Sequence, residues 1–265
     1  MTDVPLDPTL PDGEITVLGR HPSASNIVLV AELRAADLEP VMVSYKPIAG
    51  ERPLWDFPDG SLAAREVAAA RIDRLGGFDL IPDTVLREGP AGPGSVQRWV
   101  GEVTTPARTP VAVTPPDEVP SGNLVVLAGE DEGGAPLLLS HPDDPRLRSM
   151  AVLDAVLNNS DRKGGHVLVV GDRLWGIDHG VSLHAEPKLR TVLWGWAGDP
   201  VTPEDSARLR ALAAALEEEV VVEQLGTLIT ADEVEALRGR VAHLLATGTH
   251  PHPSEEWPSI PWPPL

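Results

Sequence analysis

The stretch 158–180, NNSDRKGGHVLVVGDRLWGIDHG, holds three side chains whose types and spacing could do chemistry together: Asp161, His166 and Asp178. Asp161 lies in one polar turn, SDRKGGH, and Asp178 in a second, IDHG, on either side of a short apolar strand at 166–170 and a tight Gly171-Asp172 turn. Phosphoryl transfer from a nucleotide needs such a set. One carboxylate orients and deprotonates an acceptor hydroxyl, a nearby residue holds a divalent metal, and a second carboxylate completes the metal site that bridges the phosphates. The acids must stand close together, and a hairpin brings them there. The competing reading is a β-hairpin whose Asp and Gly residues only make turns. It gives no role to two acids and a histidine punctuating so apolar a run.

These residues carry a resemblance. An Asp-Arg pair, a ligand residue five positions after the Asp, and then an Ile-Asp-x-Gly turn are similar to the protein-kinase-like superfamily, most of all to its atypical branch of phosphatidylinositol 3- and 4-kinases and HipA-type bacterial kinases. Asp161-Arg162 matches the first element and Ile177-Asp178-His179-Gly180 the last. More narrowly, NNSDRKGGH, IDHG and KLRTVLWGWAG resemble an actinobacterial phosphatidylinositol-kinase-like family; the match covers 158 to about 198. The resemblance implies an α+β, two-lobed protein-kinase-like fold, with an antiparallel-sheet N-lobe at 1–103 and a mainly helical C-lobe at 104–265. It also implies ATP and a divalent metal, Mg or Mn, with Asp161 aligning the nucleophile and His166 and Asp178 as metal ligands. His166 departs from the pattern, since the superfamily has Asn there. An imidazole binds Mg²⁺ less readily than an oxygen donor does and suits Mn²⁺ better.

Other elements must position this hairpin. Segments 14–18 (EITVL) and 27–32 (IVLVAE) have strand composition and flank the polar turn 19–26. By the resemblance that turn is a phosphate-covering loop lacking G-x-G-x-x-G, in which Ser23, Ala24 and Ser25 present amides and hydroxyls to phosphate; an ordinary hairpin loop is the alternative. A strand at 41–46 ends in Lys46. Ser61 is then expected to N-cap an Ala-rich helix that Gly76 or Gly77 ends, with Glu66 one turn inside it. Kinases hold the α- and β-phosphates with a strand Lys paired to a helix Glu, so the resemblance pairs Lys46 with Glu66. The alternative is a surface lysine and an exposed helix acid. Strands at 78–87 and 95–103 resemble the edge and hinge of an adenine pocket. There the backbone from Gln97 to Val100 would meet the base, with Trp99 packing nearby or lying in the core.

The region 104–122, with five Pro, marks a lobe boundary or flexible insert, and 124–128 with 135–140 looks like a hairpin. Asp144 and Pro145 start a helix to about 158, with Leu147, Met150, Ala151, Asp154 and Leu157 on one stripe. Asp154 on that stripe suits a loop-anchoring hydrogen bond. Beyond Gly180, the resemblance places a substrate loop. Lys188 and Arg190 could meet the γ-phosphate or an acidic acceptor, or form a solvated pair, while Trp194 and Trp196 pack the loop down. Thr202 and the Thr230/Glu233 capping box begin two closing helices. The Pro-rich tail with Trp257 and Trp262 is expected to run extended over the surface or into a groove. His250 and His252 lack the further ligands a metal site needs.

Composition narrows the partners. The 265 residues are 42% hydrophobic, enough for a sizeable core. Forty acidic against 21 basic residues give a formal charge of −19, which repels nucleic acid and anionic membrane surfaces. A protein acceptor, or the chain itself by autophosphorylation, is therefore favoured over a lipid, with no nucleic acid and no stable membrane insertion. No run approaches the roughly eighteen apolar residues of a membrane span, the N-terminal residues lack signal-peptide character, and without cysteine there is neither disulfide nor thiolate metal site. The expected location is cytoplasmic. The expected activity is ATP-dependent phosphoryl transfer to a hydroxyl; the alternatives are a nucleotide-binding pseudokinase with a regulatory role and a protein nucleotidyltransferase.

Overall fold

Side-chain alternation decides which face of the first sheet carries Lys46. In strand Val41–Pro47, Val43, Tyr45 and Pro47 are buried, while Met42, Ser44 and Lys46 point to the opposite face. This is β3 of a five-stranded sheet in the computed structural model, which describes residues 10–21, 26–36, 38–58, 61–105 and 107–265. The other strands are β1 (Glu14–Arg20), β2 (Leu29–Arg34), β4 (Thr84–Gly89) and β5 (Gly92–Arg98), in the order β1-β2-β3-β5-β4 with every neighbouring pair antiparallel. Ala31, Leu33, Val43, Tyr45 and Val96 form a small core on one face with Leu10 and Ile15. Helix α1 (Leu62–Gly76) packs against β4 and β5 and sends Ala68, Ala69 and Ile72 into the larger core of the rest of the chain.

After the sheet comes a second, three-stranded sheet in the order β6-β8-β7, built from β6 (Ala112–Thr114), β7 (Asn123–Glu130) and β8 (Pro136–Pro142). The expected hairpin thus gains a third strand from within the Pro-rich segment. Helix α2 (Pro145–Leu157) is buried on almost every side, its N-cap Asp144 accepting the Arg146 N–H. It delivers the chain to a hairpin of β9 (Val167–Val170) and β10 (Arg173–Gly176). Helices α3 (Pro203–Ala215), α4 (Glu219–Gly226) and α5 (Ala231–Thr247) close the fold. Thr202 caps α3, and the Thr230/Glu233 capping box forms as its spacing indicates. The class is α+β, with antiparallel sheet and one helix first and a mainly helical part after.

Two local expectations are corrected. Ser61 does not cap α1: its hydroxyl donates to the Pro58 carbonyl, and the carboxylate of Glu51 accepts the Leu62 and Ala63 N–H groups at 3.2 and 2.8 Å instead. The strand expected at 78–87 begins only at Thr84, because Asp79 adopts φ 56° and Leu80 and Ile81 direct their N–H groups to Asp73 rather than to a neighbouring strand. No helix among the described residues is long and apolar enough to cross a membrane.

Candidate active site

Lys46 gathers the site. Its strand face turns it toward α1, where Nζ bonds Glu66 Oε1, and toward the turn after β10, where Nζ lies 3.0 Å from Asp178 Oδ1. Glu66 is 2% exposed, held there because its neighbour Arg65 pins α1 to the Ser182 carbonyl and to Glu233 of α5, at 2.8 and 2.5 Å. Burial pushes the Glu66 carboxyl up, with Lys46 opposing. Burial disfavours the Lys46 ammonium, yet the carboxylates of Asp178 and Glu66 outweigh it and raise the pKa. Lys46 in turn holds Asp178 well below the usual carboxylate range. Lys46 thus links the carboxyl of α1 to that of the turn after β10. Glu66 Oε2 makes no hydrogen bond although it is buried.

The Asp178 turn is shaped by close approach. Asp178 takes φ 62°, a left-handed conformation uncommon for a residue with a side chain. A Cβ on Gly180 would lie 3.4 Å from Leu62 Cβ and 3.7 Å from Glu66 Oε1, so the turn sits against the first turn of α1. Asp178 Oδ2 stands 3.3 Å from His166 Nε2, and His166 Nδ1 is 3.0 Å from the Asp161 carbonyl. A carbonyl can only accept, so Nδ1 carries the proton. Burial lowers the His166 pKa against the pull of Asp178, which leaves Nε2 a lone pair facing a carboxylate oxygen.

Arg162, fully buried, holds the three parts together. Its guanidinium ion-pairs with Asp154 of α2 at 3.0 Å and donates to the carbonyls of His166 and Ile177 at 3.2 and 2.9 Å. It also donates to His179 Nε2 at 2.6 Å. Asp154 further accepts from Asn159 Nδ2 and Thr191 Oγ1, both at 3.1 Å, while Asn159 Oδ1 accepts the Asp161 N–H at 3.0 Å. Asp154 is thus the anchor of the loop that presents Asp161. Sequence reasoning named Arg162 only as part of the Asp-Arg motif and passed over Asn159 and Lys163. Lys163 Nζ lies 3.2 Å from Asp161 Oδ2, and its place two residues after the acid is the signal that could have found it.

The remaining expected residues divide. Asp161, His166, Asp178, Lys46 and Glu66 are linked through the contacts above. Ser23, Ala24 and Ser25 fall outside the described residues. Gln97 lies inside β5, paired with Ser44 on one side and Thr84 on the other, and its side chain donates to Thr84 Oγ1 at 2.8 Å. The Trp99 N–H donates to the Met42 carbonyl at 2.9 Å, with Val100 next as the chain leaves the sheet. Lys188 is 3% exposed, with Nζ 2.6 Å from Asp56 Oδ2 and about equally far from the rings of Trp55 (5.0 Å), Trp257 (5.3 Å) and Phe57 (5.8 Å). Arg190 is half-buried and donates through Nε to the Ser160 carbonyl at 2.7 Å, directly before Asp161. The two basic residues therefore differ in surroundings: Lys188 is locked inside an aromatic box, and Arg190 lies along the loop.

The donors fit a divalent ion. Two adjacent ligands of a small octahedral cation at about 2.1 Å stand roughly 3 Å apart, close to the spacing of His166 Nε2 and Asp178 Oδ2. No cluster of three or more His, Cys, Asp or Glu able to hold a metal occurs among the described residues. Such an ion would take its other ligands from phosphate and water, as magnesium-type sites do.

No protein-family model matches the chain. Its sequence is 45% identical over 262 residues to Protein Rv2133c of Mycobacterium tuberculosis, covering 96% of this chain and 93% of that protein. Among solved structures, the Helicobacter pylori proinflammatory kinase CtkA is similar at 12% identity and a TM-score of 0.46, over 92% of this chain and 95% of that one, a likeness too loose to assign chemistry.

Proposed function

The chain belongs to the family of the Mycobacterium tuberculosis Protein Rv2133c, and from the site it carries we propose that it is an ATP-dependent phosphotransferase, an atypical kinase of the phosphatidylinositol-kinase-like and HipA-like branch. The observation that carries this reading is Lys46 held between Glu66 and Asp178, three residues from β3, α1 and the turn after β10. Holding a part-buried lysine between a buried carboxylate and a half-exposed one suits a group that must meet phosphate oxygens at a fixed point.

In this reading residues 1–103 form the nucleotide lobe and 104–265 the catalytic lobe, with the base near Trp99 and Val100. Lys46, positioned by Glu66, holds the α- and β-phosphates. His166 and Asp178 hold the divalent ion, which when bound offsets the charge on the phosphate oxygens. Asp161 accepts the proton of the acceptor hydroxyl as that oxygen bonds to the γ-phosphorus and the bond from phosphorus to the β,γ-bridging oxygen breaks, releasing ADP. Positioning and electrostatics supply the rate, with no covalent enzyme intermediate. Lys163 and Arg190, flanking Asp161, are the cations placed to meet an anionic acceptor segment. The net charge of −19 disfavours a lipid surface, so the acceptor is a protein hydroxyl, in another chain or this one.

Incubation of the chain with ATP and Mn²⁺, read by intact mass, tests the reading. Added phosphate on the chain or on a supplied protein acceptor supports it; addition of a nucleotide monophosphate selects nucleotidyl transfer. Thermal stabilisation by Mn²⁺-ATP with no transfer selects a regulatory nucleotide-binding module, and neither stabilisation nor transfer overturns the nucleotide site.

A further inference from the structure

The loop that separates Asp161 from His166 contains Gly164 and Gly165, which have no side chains with which to pack it in place. Backbone so free costs more entropy to fix than any other. The bond from His166 Nδ1 to the Asp161 carbonyl ties the ends of this segment, and the two glycines between them are held by contacts from outside the loop.

Two segments do so from different directions. Thr109 Oγ1 donates to the Gly164 carbonyl at 2.6 Å, and Val111 packs beside it. The Pro264 carbonyl accepts the Gly164 N–H at 2.8 Å. A Cβ on Gly164 would lie 2.6 Å from Leu265 Cδ2 and 3.0 Å from Val111 Cβ, so the glycine is closely enclosed between them. Upstream in the same tail, the Ser259 carbonyl accepts both the Thr191 N–H at 3.0 Å and the Trp194 Nε1–H at 2.9 Å. Ile260 packs on the main core, and the Trp257 ring covers Lys188 and Arg190 at 5.3 and 5.8 Å. The tail thus bonds the segment that carries Arg190 and then the loop between Asp161 and His166.

We propose that residues 259–265 are a positioning strap of the active site, fixing the 163–166 loop so that Asp161 and His166 keep their spacing. Neither Pro264 nor Leu265 touches substrate in this account; they act through Gly164. The inference rests on the phosphotransferase reading for its catalytic consequence, while its structural half can be measured without turnover.

The test uses the full chain with Leu265→Asp, with Gly164→Ala, and with Gly164→Ala combined with Leu265→Ala, which removes the shorter of the new methyl's two close contacts and leaves that with Val111. Amide hydrogen exchange at 164–167 should speed by about tenfold or more in the first two variants, with α3 and α5 unchanged. Transfer kcat should fall by about tenfold with KM for ATP within about twofold. The double variant should recover part of both losses. Exchange at 164–167 within about twofold of the parent in both single variants overturns the strap, as does faster exchange with unaltered kcat. If the parent chain itself transfers no phosphate, the phosphotransferase reading fails, and the exchange measurement alone still decides whether the tail holds the loop.

Discussion

His166 Nε2 stands 3.3 Å from Asp178 Oδ2, and the proton on the opposite ring nitrogen is committed to the Asp161 carbonyl. One imidazole thereby connects the backbone of the proposed base to the proposed metal carboxylate. Replacing it with Asn substitutes an oxygen donor that Mg²⁺ accepts more readily. His166→Asn should keep transfer activity and lower the Mn²⁺/Mg²⁺ rate ratio on the order of tenfold, about 1.4 kcal/mol of differential metal binding. Metal titrations of initial rate check this; an unmoved ratio means that His166 is not a ligand.

The Lys46 ammonium serves two acids at once, so the three groups should behave as a unit. Lys46→Met should lower kcat/KM for ATP by about 10²–10³, the usual loss when one pre-placed charge is removed from a reacting anion. Glu66→Gln should cost less, because Asp178 still holds the lysine. The double variant should be little worse than Lys46→Met alone, since Glu66 acts through Lys46. Additive losses in a kinetic double-mutant cycle would separate the two residues.

What the sequence made legible is what local chemistry encodes. Asp144, Thr202 and Thr230 cap helices through contacts two or three residues away, and His166 meets both the Asp161 carbonyl and the Asp178 carboxylate within one short hairpin segment. Lys46 and Glu66 pair across twenty positions, and only the resemblance suggested it. The rest depends on distant partners. Glu51, not Ser61, caps α1 from eleven residues upstream, and Lys188 is drawn inside by Asp56 and by aromatic rings from three separate positions. Helix α4 contains the run Val220 to Val222, whose β-branched side chains read against helix; burial of Val221 and Leu225 in the main core overrides that local preference.

Arg162 and Asp154 form an ion pair with neither side chain exposed. Arg162→Met would leave Asp154 charged and short of its main partner, with Asn159 and Thr191 as its remaining donors. The expected loss is about 3–5 kcal/mol of unfolding free energy, read from urea denaturation. Removing both charges with Arg162→Met and Asp154→Leu should cost less than the single change, because no uncompensated anion remains. A double variant less stable than either single one would place the value of Arg162 in its bonds to His166, Ile177 and His179 instead.

The Glu51 carboxylate accepts two of the N–H groups that the first turn of α1 leaves unpaired, and it adds negative charge at the positive end of the helix. Glu51→Ala should cost about 0.5–2 kcal/mol, visible as a lower denaturation midpoint. Ser61→Ala should cost less, since its hydroxyl caps nothing in the helix. Equal losses from the two substitutions would return the cap to Ser61.

Asp73 sits 3% exposed on α1 and accepts the Leu80 and Ile81 N–H groups; the Leu80 carbonyl in turn accepts the Gly176 N–H at 2.7 Å, at the end of β10 and just ahead of the Asp178 turn. Burial raises the Asp73 carboxyl to about 7, against the two N–H donors that favour its charged form. The unfolded value is near 3.9, so between about pH 4 and 7 the folded chain binds a proton that the unfolded chain does not. The stabilisation is fully present below about pH 4 and is lost as the pH rises through about 7. Asp73→Asn is neutral throughout and keeps an acceptor for the same amides. The parent should therefore lose a few kcal/mol relative to this variant between about pH 4 and pH 8, measured as the difference in urea unfolding free energy at each pH. A difference that stays flat across that range would mean that the carboxyl ionises in the folded chain as it does in water.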